Sequence, residues 1–317
     1  MTIFWNVTKS VANRSSNNGD ELNTEQARNL IKEICAADFD AVFFGDSTPL
    51  RRDDIYELIG FAASCGLTTL LSTDTAALGQ ETLQQLKKNG LHRIYLHIQQ
   101  RVEDGNGNLT PAFKTVIEAM RQCSDCGLEF SIETVFNKDN WDNIQKIITF
   151  AASMGALEYQ INYPVCNGCQ DQETYRGLLT DLALNQARYP LPVKPVCAPE
   201  FVPLARQFGS NPVPKRGCLA GISSCSIQPN GDVHPCQYLP VRLGNVKKIS
   251  FSRLWEENPV FEKLRSQEYA GRCGRCPNKL MCGGCRARAF VRSGDFMGQD
   301  PQCIYAHAGV METAFKV

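Results

Sequence analysis

The residues whose type and spacing carry chemistry are the cysteines. The 317-residue chain holds 15, and eight of them fall between Cys218 and Cys303. Cys218 is followed by Cys225 and then, across SIQPNGDVHP, by Cys236. Next come Cys273-Gly-Arg-Cys276, Cys282-Gly-Gly-Cys285 and Cys303. In a reducing compartment, clustered thiols at short fixed spacings read as metal ligands, whereas a secreted disulfide scaffold is normally shorter and follows a signal peptide. Eight thiolates make two sets of four, the number that a 4Fe–4S cluster or a structural zinc each takes. Gly231 and the two glycines of Cys282-Gly-Gly-Cys285 let backbone N–H groups approach sulfur. Between residues 247 and 292, eleven Lys or Arg stand against four Glu. That excess suits dianionic iron–sulfur centres and also describes a solvated basic face. On ligand type alone, two zinc sites remain the alternative.

These thiols need a scaffold. Short β-rich runs at 3–7, 41–44, 68–72, 93–98, 129–135 and 157–162 alternate with amphipathic stretches at 24–37, 53–64, 80–88, 111–124 and 141–153. Thr110-Pro111 pairs a capping hydroxyl with a proline at the first helical position, and Gly66, Gly90, Gly127 and Gly155 follow helix ends. Six strands separated by helices imply parallel pairing with right-handed crossovers, in a doubly wound sheet or in a barrel, complete or not. A helix is expected over 172–188. Seven prolines between 190 and 214 then read as an extended linker into a second domain.

Composition narrows the class. At roughly 150 residues per domain the length suggests two domains. Lys plus Arg is 33 and Asp plus Glu is 33, so no global field gathers nucleic acid or acidic lipid. No apolar run approaches the roughly 18 residues of a membrane-spanning helix. The N-terminal MTIFWNVTKSVANRSS lacks a signal-peptide pattern. A cytoplasmic metalloprotein is the expectation.

The pattern Cys218, twelve residues, Gly231, four residues, Cys236, then Cys273-x2-Cys276-x5-Cys282-x2-Cys285 and Cys303 resembles the SPASM domain. That domain follows the partial barrel of many radical S-adenosylmethionine (SAM) enzymes. The resemblance implies a partial (β/α)6 TIM-type barrel over 1–165, a helix and linker over 166–214, and a SPASM domain over 215–317 with two auxiliary 4Fe–4S clusters. Carried over by position, Cys218, Cys225, Cys236 and Cys285 would hold the first cluster, and Cys273, Cys276, Cys282 and Cys303 the second. The flanking GDVHPCQYLP, LGNV, CGGCRARA and DPQC look most like SPASM enzymes that modify haem-type tetrapyrroles or peptides.

The first half also resembles the radical SAM barrel, including the WNVT entry strand, but departs at its centre. The family's Cys-x3-Cys-x2-Cys, whose thiolates hold the SAM-binding cluster, falls on Val11, Ser15 and Asn18, and no cysteine precedes Cys35. Valine offers no ligand atom. The family's SAM-contacting segments fall on Gly45-Asp46-Ser47-Thr48, Ser72-Thr73-Asp74-Thr75 and His97-Ile98-Gln99-Gln100. Losses in the neighbours as well as the cysteines suit a naturally degenerated site. The resemblance therefore implies two auxiliary clusters and no SAM cluster.

Other residues could add chemistry. His97, Asp46, Asp74, Glu133 and Asn162 are expected at the C-terminal barrel face, where sites collect, as a polar pocket for a ligand or for acid–base work. Cys166 and Cys169 would follow the sixth strand and could bind metal or cycle redox. Cys123 with Cys126 reads as a packed pair, and Cys35, Cys65 and Cys197 as core or incidental. His234 is expected beside the cluster bound through Cys236; His92 and His307 attract no role. The functional expectation is an iron–sulfur redox or accessory protein working with a redox donor or an active radical SAM enzyme, without SAM cleavage. The alternatives are an enzyme that reuses the barrel pocket, and a peptide- or tetrapyrrole-binding module whose clusters are structural.

Overall fold

The computed structural model describes residues 1–9, 21–45, 48–75, 78–98, 102–104, 106–136, 141–165, 172–210 and 214–305. The six expected βα units form: β1 (Thr2–Asn6), α1 (Thr24–Ala36), β2 (Ala41–Gly45), α2 (Ile55–Ser64), β3 (Thr68–Asp74), α3 (Gln80–Lys88), β4 (Arg93–His97), α4 (Pro111–Cys126), β5 (Glu129–Val135), α5 (Trp141–Ser153) and β6 (Tyr159–Asn162), followed by α6 (Gln172–Asn185). Their boundaries have local causes. Asn23 accepts from the Gln26 amide while the Gln26 side chain accepts from the Asn23 amide, a capping box that starts α1. The Thr110 side chain accepts from Phe113 N, Pro111 opens α4, and Gly127 closes it at φ 66°.

The proline-rich stretch is not an extended linker. It contributes β7 (Val193–Val196), parallel to β6, and α7 (Phe201–Gln207), in which Phe201 to Ala205 are all buried. β7 ends the sheet order, and an edge strand tolerates Pro195 because no neighbour needs its missing N–H. At the opposite side, β8 (Ser224–Ile227) pairs parallel with β1, placing Cys225 beside Ile3. β9 (Asp232–His234) and β10 (Gly244–Asn245) follow antiparallel. One ten-stranded sheet thus runs β10-β9-β8-β1-β2-β3-β4-β5-β6-β7. Helices α8 (Phe251–Glu257), α9 (Pro259–Ser266), α10 (Gly271–Arg275) and α11 (Arg286–Ser293) complete the C-terminal part. Phe251, Trp255 and Phe261 join the same hydrophobic core as the barrel helices.

The segment that carries the cysteines in the radical SAM motif leaves from β1 and returns at α1. Its two ends are clamped. Arg52, 8% exposed, donates to Val7 O at 3.2 Å and to Leu22 O at 2.8 Å. Its fork also meets Asp54 at 2.6 and 2.9 Å, and Thr24 donates to the same carboxylate. Burial would raise the Asp54 pKa, but the bonds from Arg52 and Thr24 outweigh it and lower it. Lys9 N donates to Glu21 across the neck. Removing Arg52 leaves the half-buried Asp54 carboxylate with Thr24 alone and two carbonyls without this donor, so Arg52→Ala should destabilise the chain by about 2 kcal/mol, and Arg52→Lys by less. Thermal unfolding of the two variants checks this; an unshifted Ala variant would mean the clamp contributes nothing.

Candidate functional site

Cys273, Cys276, Cys282 and Cys303 line one cavity of about 250 Å³, with Glu200 and Asp300 in its wall. Gly284 N donates to Cys282 Sγ at 3.3 Å, Asp300 N to Cys273 Sγ at 3.4 Å, and the Arg286 guanidinium reaches Cys273 Sγ at 3.7 Å. The Gly283-Gly284 turn makes this possible. Both residues have positive φ, and a Cβ on Gly284 would stand 2.5 Å from Arg286 Nη2 and 3.2 Å from Cys273 Sγ. The thiols surround a void; among the described residues no three His, Cys, Asp or Glu side chains close on a single metal ion. Four thiols around a cavity, with N–H groups aimed at sulfur, fit a polynuclear cluster. Burial, then the nearby Glu200 carboxylate, pushes the Cys303 thiol up to about 12 and Cys282 well above its usual range. Such thiols ionise only against a bound cation, and loading releases their protons.

The other set differs from expectation in one member. Cys225 lies inside β8, 1% exposed, and packs with Ile3 in the barrel core. Burial raises its pKa, and the charge it faces is Arg265 rather than another thiol. The thiol whose surroundings include Cys218, Cys236 and Cys285 is Cys197. After burial, the charges of Cys285, Cys236 and Cys218 are what oppose its ionisation. Burial and Cys218 likewise help push Cys236 and Cys285 up to about 12. Cys236 and Cys285 share a small hydrophobic cluster with Leu239 and Ala287, and Cys218 N bonds to Cys282 O at 3.0 Å. Cys197 follows the C-terminal end of β7 and is held at φ 59°. A left-handed cysteine is costly unless its surroundings fix it. The Arg288 guanidinium does so by donating to Cys197 O. Sequence reasoning passed over Cys197 because the surrounding prolines concealed the strand whose end it occupies.

The two sets share a buried ionic core. Arg288 donates to both Asp300 oxygens, at 3.0 and 2.7 Å, and to both Glu200 oxygens, at 3.0 and 3.2 Å. All three side chains are at most 2% exposed. Burial pushes Glu200 up to about 8 against the pull of Arg288, whereas Asp300 is held low because Arg288 and its hydrogen bonds outweigh burial. Tyr175 OH donates to Glu200 at 2.9 Å.

A second cavity of about 450 Å³ occupies the barrel lumen. His97, Asp74, Glu133 and Asn162 line it together, as the strand pattern predicts. Register explains this, because Asp74 pairs with His97, His97 with Glu133, and Glu133 with Gln160 across adjacent strands. His97 Nδ1 lies 3.6 Å from Glu133 Oε1, Ser72 donates to the same oxygen, and Asn162 donates to Oε2 at 3.3 Å. Burial would lower the His97 pKa; the Glu133 hydrogen bond, then the Glu133 and Asp74 charges, reverse that and raise it. Gln237 and Tyr238, directly after Cys236, complete the lining. Tyr238 N donates to Cys236 Sγ at 3.4 Å, so the cavity abuts the first thiol set.

The remaining expectations are quickly placed. Asp46, Cys166, Cys169 and His307, with Val11, Ser15 and Asn18, lie outside the described residues. Cys123 is buried, with Cys126 Sγ donating to its carbonyl, and Cys35 Sγ donates to Cys65 O, as packed residues do. His234 Nδ1 lies 3.4 Å from Leu239 O, and His92 sits on the surface near Glu129.

A parallel partial barrel with two thiol sets at its C-terminal end defines an iron–sulfur protein of the radical SAM type. Residues 6–151 match the radical SAM superfamily model and 218–277 the SPASM model, an iron–sulfur cluster-binding domain. The chain belongs to this radical SAM/SPASM family. It is 30% identical to the AdoMet-dependent heme synthase of Nitratidesulfovibrio vulgaris, over 90% of this chain and 84% of that protein. To the enzyme of the same name from Methanosarcina barkeri it is 29% identical, over 93% and 90%. The PqqA peptide cyclase of Granulibacter bethesdensis is 27% identical, over 93% and 83%. Among solved structures, Streptococcus suis SuiB bound to S-adenosylmethionine superposes with a TM-score of 0.71 at 16% identity, covering 95% of this chain and 76% of that one. At that identity the likeness concerns the fold. Tetrapyrrole and peptide chemistry both stand in the relatives' names, as the flanking motifs suggest. AdoMet dependence stands in the heme synthases' names and points to SAM chemistry in those relatives, against the expectation of a chain without a SAM cluster; in this chain the motif positions hold Val11, Ser15 and Asn18.

Because the His97 pKa is raised on folding, its contribution to stability is full below the ordinary value of 6.5 and is lost as pH rises through the folded value. His97→Gln should therefore cost stability, about 1 kcal/mol, in mildly acidic solution and much less in alkaline solution. Thermal midpoints of both proteins across that range read the effect. A gap that widens with rising pH would contradict it.

Proposed function

We propose that the chain is an iron–sulfur protein with two 4Fe–4S clusters that acts in redox or accessory fashion in tetrapyrrole or peptide modification, without cleaving SAM. The observation that carries this reading is the contrast between two thiol sets kept in full and a motif segment with no thiol at all. Cys197, Cys218, Cys236 and Cys285 would hold the first cluster; Cys273, Cys276, Cys282 and Cys303 would hold the second. Bound, they would supply one-electron chemistry. The chain's own residues set the terms: Arg286 and backbone N–H groups stabilise thiolate charge, and Glu200, Asp300 and Arg288 fix the ground between the sets. A redox donor or an active radical SAM enzyme is the partner this role requires, in the cytoplasm. The barrel cavity favours a second reading, an enzyme whose chemistry uses His97, Asp74 and Glu133, because these groups line one cavity of about 450 Å³.

Anaerobic reconstitution with iron and sulfide counting tests the proposal, and about eight irons per chain is the expected result. Cys197→Ala should lose about half of them, and Cys225→Ala should keep them all. About twelve irons, or 5′-deoxyadenosine formed from SAM and strong reductant, would overturn the reading. Equal losses in the two variants would overturn the assignment of Cys197.

A further inference from the structure

The lumen cavity is layered. Nearest the strand starts, Phe4, Phe43 and Tyr95 form an aromatic row, with ring centroids 5.5 Å apart for the first pair and 5.0 Å for the second. A filled barrel interior would carry branched aliphatic side chains here. Toward the strand ends stand Asp74 and Glu133 with His97 between them in register, and Tyr238 closes the cavity from the side of the first thiol set. Among the described lining residues the ionisable side chains of opposite sign are these two carboxylates and one imidazole, and none is Lys or Arg. Arg93 and Lys194, on strands that also carry lining residues, are engaged with Glu129 and Glu158 outside the lining. Even with His97 protonated, the lining keeps an excess of negative charge.

Aromatic faces with carboxylates beside them, in an enclosed space, recognise organic cations. We propose that the barrel cavity is a binding site for an alkylammonium or guanidinium group, seated beside His97 against the Asp74 and Glu133 carboxylates and over the Phe4–Phe43–Tyr95 row. The Asp74 carboxylate can accept from such a group, Glu133, already bonded to Ser72 and Asn162, adds its charge, and the rings take the alkyl stem. A multiply carboxylated ligand, such as a tetrapyrrole with its acid side chains, meets like charge there and finds no cationic partner among the described lining residues. The charge of the described lining therefore favours a cationic group as ligand. This deepens the proposed function, and rests on its view of the barrel as a ligand site without a SAM cluster.

The test is calorimetric titration of the cluster-loaded protein with n-pentylamine, with N-acetyl-lysine amide, with neutral n-pentanol, and with a tetracarboxylate porphyrin. The amine should bind at least about tenfold tighter than the alcohol. Asp74→Asn and Glu133→Gln should each weaken it by about tenfold, at unchanged iron content and unchanged circular dichroism, while Asp74→Glu retains most of the affinity. Tighter binding of the lysine amide than of the free amine identifies a peptide side chain as the source; the reverse order identifies a small amine. Equal affinity for amine and alcohol, or porphyrin binding that competes with the amine and survives both substitutions, would overturn the inference. A loaded protein with the expected iron that ignores amines sinks this proposal alone, whereas a wrong iron count sinks the reading beneath it.

Discussion

Arg288 between Glu200 and Asp300 is the interaction on which the rest of the molecule's C-terminal end depends. Each partner comes from a different part of the chain. Glu200 follows the last barrel strand, Arg288 lies in α11 directly after the Cys282–Cys285 turn, and Asp300 precedes Cys303. The same three groups reach the thiols. Arg288 donates to Cys197 O, Asp300 accepts from Cys285 N at 2.5 Å, and Asp300 N donates to Cys273 Sγ. A buried ion group of this kind is weak evidence for stability, since desolvation offsets much of the attraction. Its value is positional: one guanidinium fork fixes where both thiol sets stand relative to the barrel.

That arrangement explains why the two sets behave as one unit. Cys285 lies near Cys197, Cys218 and Cys236, with which it is proposed to hold a cluster, yet it sits three residues from Cys282 of the other set. Cys218 N bonds Cys282 O, so the sets are also stitched along their backbones. The continuous sheet adds a third tie. β8 extends the barrel sheet beyond β1, and the turn from β9 carries Cys236 and then Tyr238 back to the barrel mouth. The thiol-bearing region is therefore an extension of the barrel rather than an appended module.

Much of this is legible in residues alone. The alternation of strand and helix patterns gives the six βα units. The strand ends put His97, Asp74, Glu133 and Asn162 on one face, because cross-strand register in a parallel sheet follows from strand position. The spacing of Cys273, Cys276, Cys282 and Cys303 gives one complete set. What sequence conceals is long-range. Cys225 looks like a ligand by spacing, yet its neighbours Ser224 and Ile227 place it in a parallel pair with β1, an association between residues more than 200 apart. Cys197 looks incidental because Pro192, Pro195 and Pro199 mask an edge strand. Arg288, Glu200 and Asp300 carry no local signal, since a buried ion group exists only after three distant segments meet.

The structure also separates the barrel's stability from the cluster chemistry that its superfamily is named for. The positions of the SAM-cluster thiols lie between Lys9 and Glu21, and the ends of that segment are held by Arg52, Asp54 and Thr24, none of which is a cluster ligand. Among the described residues, the bonds that close this neck come from Arg52, Thr24 and the Lys9 amide, so none of them needs a cluster thiol. The second half is built the other way. There Cys273 and Cys282 accept hydrogen bonds from the backbone and from Arg286, and Cys197, Cys236 and Cys285 are packed among core residues. Substituting a thiol of this second kind would leave buried N–H donors unpaired, a cost that the described contacts at the neck do not share. On the proposed reading of the motif segment, that asymmetry is a physical reason for one set of ligands to be lost while the other persists whole.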